Sequence, residues 1–183
     1  MFGSGNDKLT VTNDFNGCGV VASMGAGDDV LIFEGKNVTG QMKGGSGFDT
    51  LVLDYTSDNS LINSCVNVTN LSSADFTGFE LIKMEGKNAV DIRYCDLVSD
   101  TSRTGALFIQ GGRDSKVDLG SNNWNSDSTW MRNLNDSSGW RIESWKKCGT
   151  AVVDDVCYDI YHHSAGGYNQ INDVYIQQGV QVI

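Results

Sequence analysis

Three short glycine-rich turns carry the residues whose types and spacing could do chemistry. Each follows the pattern G-x-G-x-D-x-Leu, with the aspartates 22 and 20 residues apart. The stretch that follows each turn is rich in β-branched and aliphatic residues, which favours a short strand. The spacing therefore predicts three copies of one unit, a turn and then a strand. The matching residues are Gly3, Gly5 and Asp7; Gly25, Gly27 and Asp29; and Gly45, Gly47 and Asp49.

The chemistry of these turns is that of a calcium site. Glycine tolerates the tight backbone that turns carbonyl oxygens inward, and aspartate adds a short, hard carboxylate oxygen. Calcium takes about six to eight oxygen ligands, so an ion between stacked turns could bind both kinds. We therefore expect Ca²⁺ as the cofactor, with the nine glycines and aspartates of the pattern as its ligands. Leu9, Leu31 and Leu51 should point into a narrow core.

The three turns resemble the nonapeptide G-G-x-G-x-D-x-U-x of the repeats-in-toxin (RTX) family, where U is a large aliphatic residue. Gly44 precedes the third copy and completes the longer form. That resemblance implies a calcium-binding parallel β-roll, in which turns on one edge recur about every 18 residues. The longer spacing here implies good calcium turns on one edge, with degenerate turns near 13–19 and 35–40 on the other.

The remainder of the chain is β-rich but lacks the repeat. We divide the protein into a β-roll at 1–75 and a β-rich extension or cap at 76–183. The segment 105–119 predicts strand, hairpin-like turn and strand, and 150–161 predicts a hairpin that turns at Asp154 and Asp155. Residues 76–119 look similar to the stretch after the repeats in large secreted RTX adhesins, which implies a type I secretion signal region near the C-terminus.

Composition excludes several classes of function. The formal charge is −10, with 13 basic and 23 acidic residues, so a nucleic-acid partner is disfavoured. The longest apolar runs are far shorter than the roughly 20 residues that a membrane helix needs, so we expect no membrane insertion. The first residues lack the basic and apolar stretches of a signal peptide.

Candidate catalytic groups are few. His162 and His163 are the only histidines, and no G-x-S-x-G or phosphate-loop motif accompanies them. The five cysteines leave open a Cys148–Cys157 disulfide or a role as small buried side chains. Four tryptophans between Trp124 and Trp145 could pack a core or offer a platform for sugars. We therefore expect no enzymatic activity.

The function we expect is a calcium-dependent folding and type I secretion module of a large bacterial RTX adhesin. Its location would be secreted or at the bacterial surface, and its partners would be calcium ions, the secretion channel and a host or surface ligand. Two alternatives stay open at this point. The module could end a secreted toxin or hydrolase, or it could be an adhesin domain that binds a glycan or peptide.

Overall fold

The computed structural model is all-β: its described residues form strands and turns, with no helix among them. The residues described are 2–12, 20–34, 40–54, 67–70, 76–86, 88–92, 100, 105–119, 145–163 and 173–183. Since no helix occurs in these ranges, none is long and apolar enough to cross a membrane.

Fifteen strands are assigned within the described ranges. They are β1 (Lys8–Thr12), β2 (Val20–Ala26), β3 (Val30–Glu34), β4 (Gly40–Ser46), β5 (Thr50–Asp54), β6 (Asn67–Asn70), β7 (Phe76–Thr77), β8 (Leu81–Glu85), β9 (Asn88–Asp91), β10 (Leu107–Gly111), β11 (Lys116–Asp118), β12 (Trp145–Val153), β13 (Val156–His163), β14 (Val174–Gln177) and β15 (Gln181–Val182).

These strands form three sheets. The largest has the order β1-β3-β5-β8-β10-β14-β13-β12; its first six strands pair in parallel, and the last two add antiparallel pairs. A three-stranded sheet, β2-β4-β7, and a four-stranded sheet, β15-β11-β9-β6, contain only parallel pairs. From β1 to β5 the chain alternates between the largest sheet and the three-stranded one. Strands from both sides of residue 75 share the largest sheet, and the division of the chain there stays a prediction.

The core lies between the sheets and follows from alternation along each strand. On β3, Leu31 and Phe33 are fully buried while Val30 and Ile32 are half-buried, as expected when successive side chains point to opposite faces. The leucine after each acidic turn lies in one inward-facing row, because Leu9 pairs with Leu31 and Leu31 with Leu51. Met42, Val90 and Val117 from the two smaller sheets join the same hydrophobic cluster. The predicted inward position of these leucines is confirmed.

Two turns show how local chemistry directs the chain. Asp154 and Asp155 join β12 to β13 with φ of 48° and 62°, the doubly positive geometry of a two-residue hairpin turn, so that predicted hairpin is confirmed. At 105–119 the predicted strand, turn and strand are confirmed, as β10, a turn within 112–115 and β11. The turn is not that of a hairpin, because β10 and β11 belong to different sheets and residues 112–115 make a corner between them. Gly111 lies close to Ser115 at this corner, where an added Cβ would stand 2.8 Å from the Ser115 hydroxyl oxygen.

Candidate functional site: a ladder of buried carboxylates

The three acidic turns stack directly on one another at one edge of the sheets. Gly25 pairs with Gly45 in the register of β2 and β4, and Ser4 bridges Ala26. The backbones of neighbouring turns approach one another so closely that no side chain fits between them. A Cβ on Gly45 would lie 1.9 Å from the carbonyl oxygen of Gly25, and one on Gly27 would lie 2.5 Å from that of Gly5. All nine predicted site residues are therefore brought into one column.

The aspartates form a ladder along this column. The backbone N–H of Asp7 donates to Oδ1 of Asp29 at 2.8 Å, and the N–H of Asp29 donates to Oδ1 of Asp49 at 2.9 Å. The N–H of Asp49 donates to Oε2 of Glu80 at 2.9 Å. The carboxylates of Asp29, Asp49 and Glu80 thus each reach back to the preceding turn and use one oxygen to hold it.

Glu80 is the fourth rung, and sequence reasoning missed it. It lies outside the three predicted turns, since it follows Asp49 by 31 residues rather than about 20. The signal was present: Gly78-Phe79-Glu80 repeats the Gly47-Phe48-Asp49 pattern with glutamate for aspartate. The register of β5 with β8 aligns Thr50 with Leu81, which places the two acids side by side. The next strand has Leu107 at the corresponding position, so the ladder ends there.

The second carboxylate oxygen of each inner aspartate is buried without a hydrogen-bond partner among the described residues. Asp29 is 1 % exposed and Asp49 is fully buried, yet Oδ2 of each accepts no hydrogen bond from the described residues. A buried carboxylate oxygen without a partner costs free energy, about 1–3 kcal/mol or more. Gly44 makes room for one of them, since a Cβ there would lie 2.7 Å from Asp49 Oδ2 and 2.0 Å from the Gly78 carbonyl oxygen. The column therefore has carboxylate and carbonyl oxygens facing narrow spaces that only glycine leaves open.

Burial and like charges disfavour the ionised form of the central carboxylate. The pKa of Asp49 is raised from 3.8 to about 6 in all: burial is the main cause, and the carboxylates of Asp29, Glu80 and Asp28 add to it, against the lowering effect of the hydrogen bond from the Asp29 N–H. No group of three or more His, Cys, Asp or Glu side chains converges on one point within the described ranges. A calcium ion at this column would therefore be held by one or two carboxylates and by glycine carbonyl oxygens, a donor set that fits Ca²⁺.

The remaining candidate groups lie on the antiparallel end of the large sheet. His162 Nδ1 lies 2.6 Å from Asp173 Oδ1, and His163 is buried edge-on against Trp145 with 5.1 Å between ring centroids. Burial lowers the pKa of His163, and the charge of His162 lowers it further. The absence of enzymatic activity stays a prediction.

Cys148 and Cys157 are exposed free thiols. Cys157 lies opposite Val152, and Cys148 occupies a bulge between Lys147 and Gly149. Four residues of strand, about 13 Å, separate Cys148 from Val152, which exceeds the reach of a disulfide. The Cys148–Cys157 bridge is therefore not formed. Cys18, Cys65 and Cys95 lie outside the described residues, as do Trp124, Trp130 and Trp140.

The comparisons with known proteins identify no relative. No protein-family model matches the chain, and no curated protein and no solved structure matches it. The function is therefore argued from the carboxylate ladder itself.

The pKa of Asp49 predicts how acid affects the calcium-free protein. Because the folded-state pKa of about 6 exceeds the unfolded value near 3.8, the folded state binds the proton more tightly. The proton on Asp49 therefore contributes stability in chelator that is complete below about pH 4 and is lost as the pH rises through about 6. The fraction of folded chain in chelator, measured by far-ultraviolet circular dichroism, should be higher at pH 5 than at pH 7.5, by a free energy on the order of 1 kcal/mol. A β signal in chelator that falls on acidification, or a pH profile that Asp49→Asn does not flatten, would contradict this account.

Proposed function

We propose that this chain is a calcium-dependent folding module, built as a parallel β-roll with a β-rich C-terminal cap. The observation that carries the proposal is the pair of buried Oδ2 atoms on Asp29 and Asp49, which accept no hydrogen bond from the described residues and lie in a column of like charges. Calcium binding would supply the missing partner for each oxygen and neutralise the repulsion. Since an unfolded chain has no such column, binding and folding form one equilibrium.

The architecture supports this proposal. Parallel pairs from β1 to β14 and alternation of the chain between sheets are what a roll requires. The antiparallel pair β12 and β13 closes one end of the largest sheet. The edge strand β12 carries Lys146, Lys147 and the Cys148 bulge, features that oppose pairing with another chain. A solenoid of stacked repeats needs a capping element of this kind at its end to stay soluble.

The biological setting we propose is the C-terminal region of a large secreted bacterial RTX adhesin, without enzymatic activity. Bacterial cytosol holds little free Ca²⁺, so the chain would stay unfolded there and could pass through a type I secretion channel. Outside the cell, millimolar Ca²⁺ would bind and fold it. The net charge of −10 favours this order of events, because self-repulsion opposes the compact state until calcium is bound.

Calcium withdrawal tests the proposal. We expect the far-ultraviolet circular dichroism of the chain to lose most of its β signal in chelator, because the carboxylate ladder is destabilised. Addition of millimolar Ca²⁺ should restore the signal, and Mg²⁺ at the same concentration should not, since Mg²⁺ releases its waters reluctantly and demands octahedral geometry. A spectrum and melting temperature that are the same in chelator and in Ca²⁺ would refute the proposed function.

A further inference from the structure

The outward face of the large sheet carries a polar cleft beside a cluster of aromatic rings. The cleft has a volume of about 250 Å³ and lies where β8, β10 and β14 run side by side. It is lined by Lys83, Met84, Glu85, Gln110, Gly111, Gly112 and Gln177. We propose that this face binds a neutral oligosaccharide, with one sugar ring in the cleft and the next over the rings. This proposal does not rest on the calcium proposal.

The cleft offers donors and acceptors held in place. Gln110 Nε2 donates to the Tyr158 hydroxyl at 2.6 Å, and Gln177 Oε1 accepts from the Gly111 N–H at 3.1 Å. Each amide thus has one end fixed, while Gln110 Oε1 and Gln177 Nε2 have no hydrogen bond to another described residue. The Lys83 ammonium and the exposed Glu85 carboxylate add a donor and an acceptor at the same cleft. Sugar hydroxyls both donate and accept, so they match such a mixed set.

A cluster of aromatic rings lies beside the cleft, and two of its members stand on the same strands, β10 and β14. Phe108 and Tyr175 precede Gln110 and Gln177 by two residues, so they share the outward face, about 7 Å away. Their ring centroids are 4.9 Å apart, and both rings are half-buried. Phe48 stands 6.4 Å from Phe108 and is 45 % exposed. A step of about 7 Å approximates one sugar ring, and the C–H groups of a sugar suit the electron-rich face of an aromatic ring.

Other ligand classes fit this face less well. The backbone groups of β8, β10 and β14 are paired in the sheet, whereas an extended peptide binds by adding to a free edge. Lys83 and Glu85 carry opposite charges, and the chain carries −10, so an acidic ligand gains no attraction. The volume is below the roughly 300–1,000 Å³ of sites for larger small molecules, which suits a single ring. A neutral saccharide is therefore the favoured ligand.

A glycan array tests the proposal, probed with the intact chain in millimolar Ca²⁺. We expect retention of neutral oligosaccharides, followed by titration of the best one against two variants. Glu85→Gln keeps the size of an exposed side chain and removes its charge, and Tyr175→Ala removes one of the three rings of the aromatic cluster. Each should weaken binding at least tenfold.

The matched control is Glu34→Gln. Glu34 is an exposed glutamate that the sheet register places in the same outward row as Glu85, two strands away, and this variant should bind within twofold of the wild-type chain. The circular dichroism of every variant is compared with that of the parent. If Tyr175→Ala loses its β signal, the effect of Glu85→Gln on saccharide binding tests the proposal. Retention of no neutral saccharide, or binding that Glu85→Gln leaves unchanged, would overturn the proposal. The latter result would place the saccharide elsewhere, as on the stretch Trp124–Trp145.

Discussion

Gly45→Ala is expected to abolish stable folding, even in saturating calcium. The added Cβ would stand 1.9 Å from the Gly25 carbonyl oxygen and 2.9 Å from its carbonyl carbon, and both atoms are backbone within the stacked turns. Gly45 also has φ of 125°, which L side chains rarely adopt. The stack cannot open locally, since Gly45 pairs in register with Gly25. We expect a loss of about 3 kcal/mol or more in the free energy of unfolding by urea.

Gly112→Ala is the matched control for this prediction. Gly112 is exposed, has no positive φ, and a Cβ there meets nothing within 4 Å. Its alanine variant should unfold within about 0.5 kcal/mol of the parent. Equal stability of the two variants would show that the turns are not stacked as described.

Asp49→Asn is expected to have opposite effects with and without calcium. Asparagine retains an Oδ1 that accepts the hydrogen bond from Asp29 N–H at 2.9 Å, so the ladder geometry is kept. In chelator the variant should be more stable than the parent, by on the order of 1–2 kcal/mol at neutral pH, because a buried charge among carboxylates is removed. Added calcium should stabilise the variant less than it stabilises the parent, since the ion loses a charged ligand that lies between two turns. We expect calcium affinity to fall at least tenfold.

Asp54→Asn controls for a simple change in net charge. Asp54 lies on the same strand, β5, and is half-buried on the outward face, away from the stacked turns. Its variant should keep the calcium affinity of the parent. If Asp49→Asn lowers stability in chelator, the buried carboxylate is not a source of repulsion. If it leaves calcium affinity intact, Asp49 is not a ligand.

The strands after the acidic turns could be predicted because their pattern is local. Leu31 and Phe33 alternate with half-buried residues over five positions, and the turn before them has glycines where positive φ is required. The strands before the turns, β2 and β4, were not predicted. Their glycines and polar residues have weak β propensity, and they form strands because Gly25 and Gly45 pair across the stack.

The sequence predicts the three aspartates of the candidate site but not the glutamate that extends it. The repeated pattern placed Asp7, Asp29 and Asp49 in one column. Glu80 entered the column through the pairing of β5 with β8, a contact between residues 31 positions apart that no fixed period indicates. The corner at 112–115 was mistaken for a hairpin for a similar reason, since a Gly-rich turn looks the same whether its strands pair together or join different sheets.

The most direct test of calcium binding by the carboxylate ladder is to locate the ions. Crystals of the intact chain grown in millimolar Ca²⁺ should give anomalous difference peaks along the column of stacked turns, next to Oδ2 of Asp29 and Oδ2 of Asp49. Those are the two buried oxygens that accept no hydrogen bond from the described residues. Peaks at these positions are the result that the account predicts. A well-ordered stack with no peak beside either oxygen, or with calcium only at exposed carboxylates elsewhere, would contradict it.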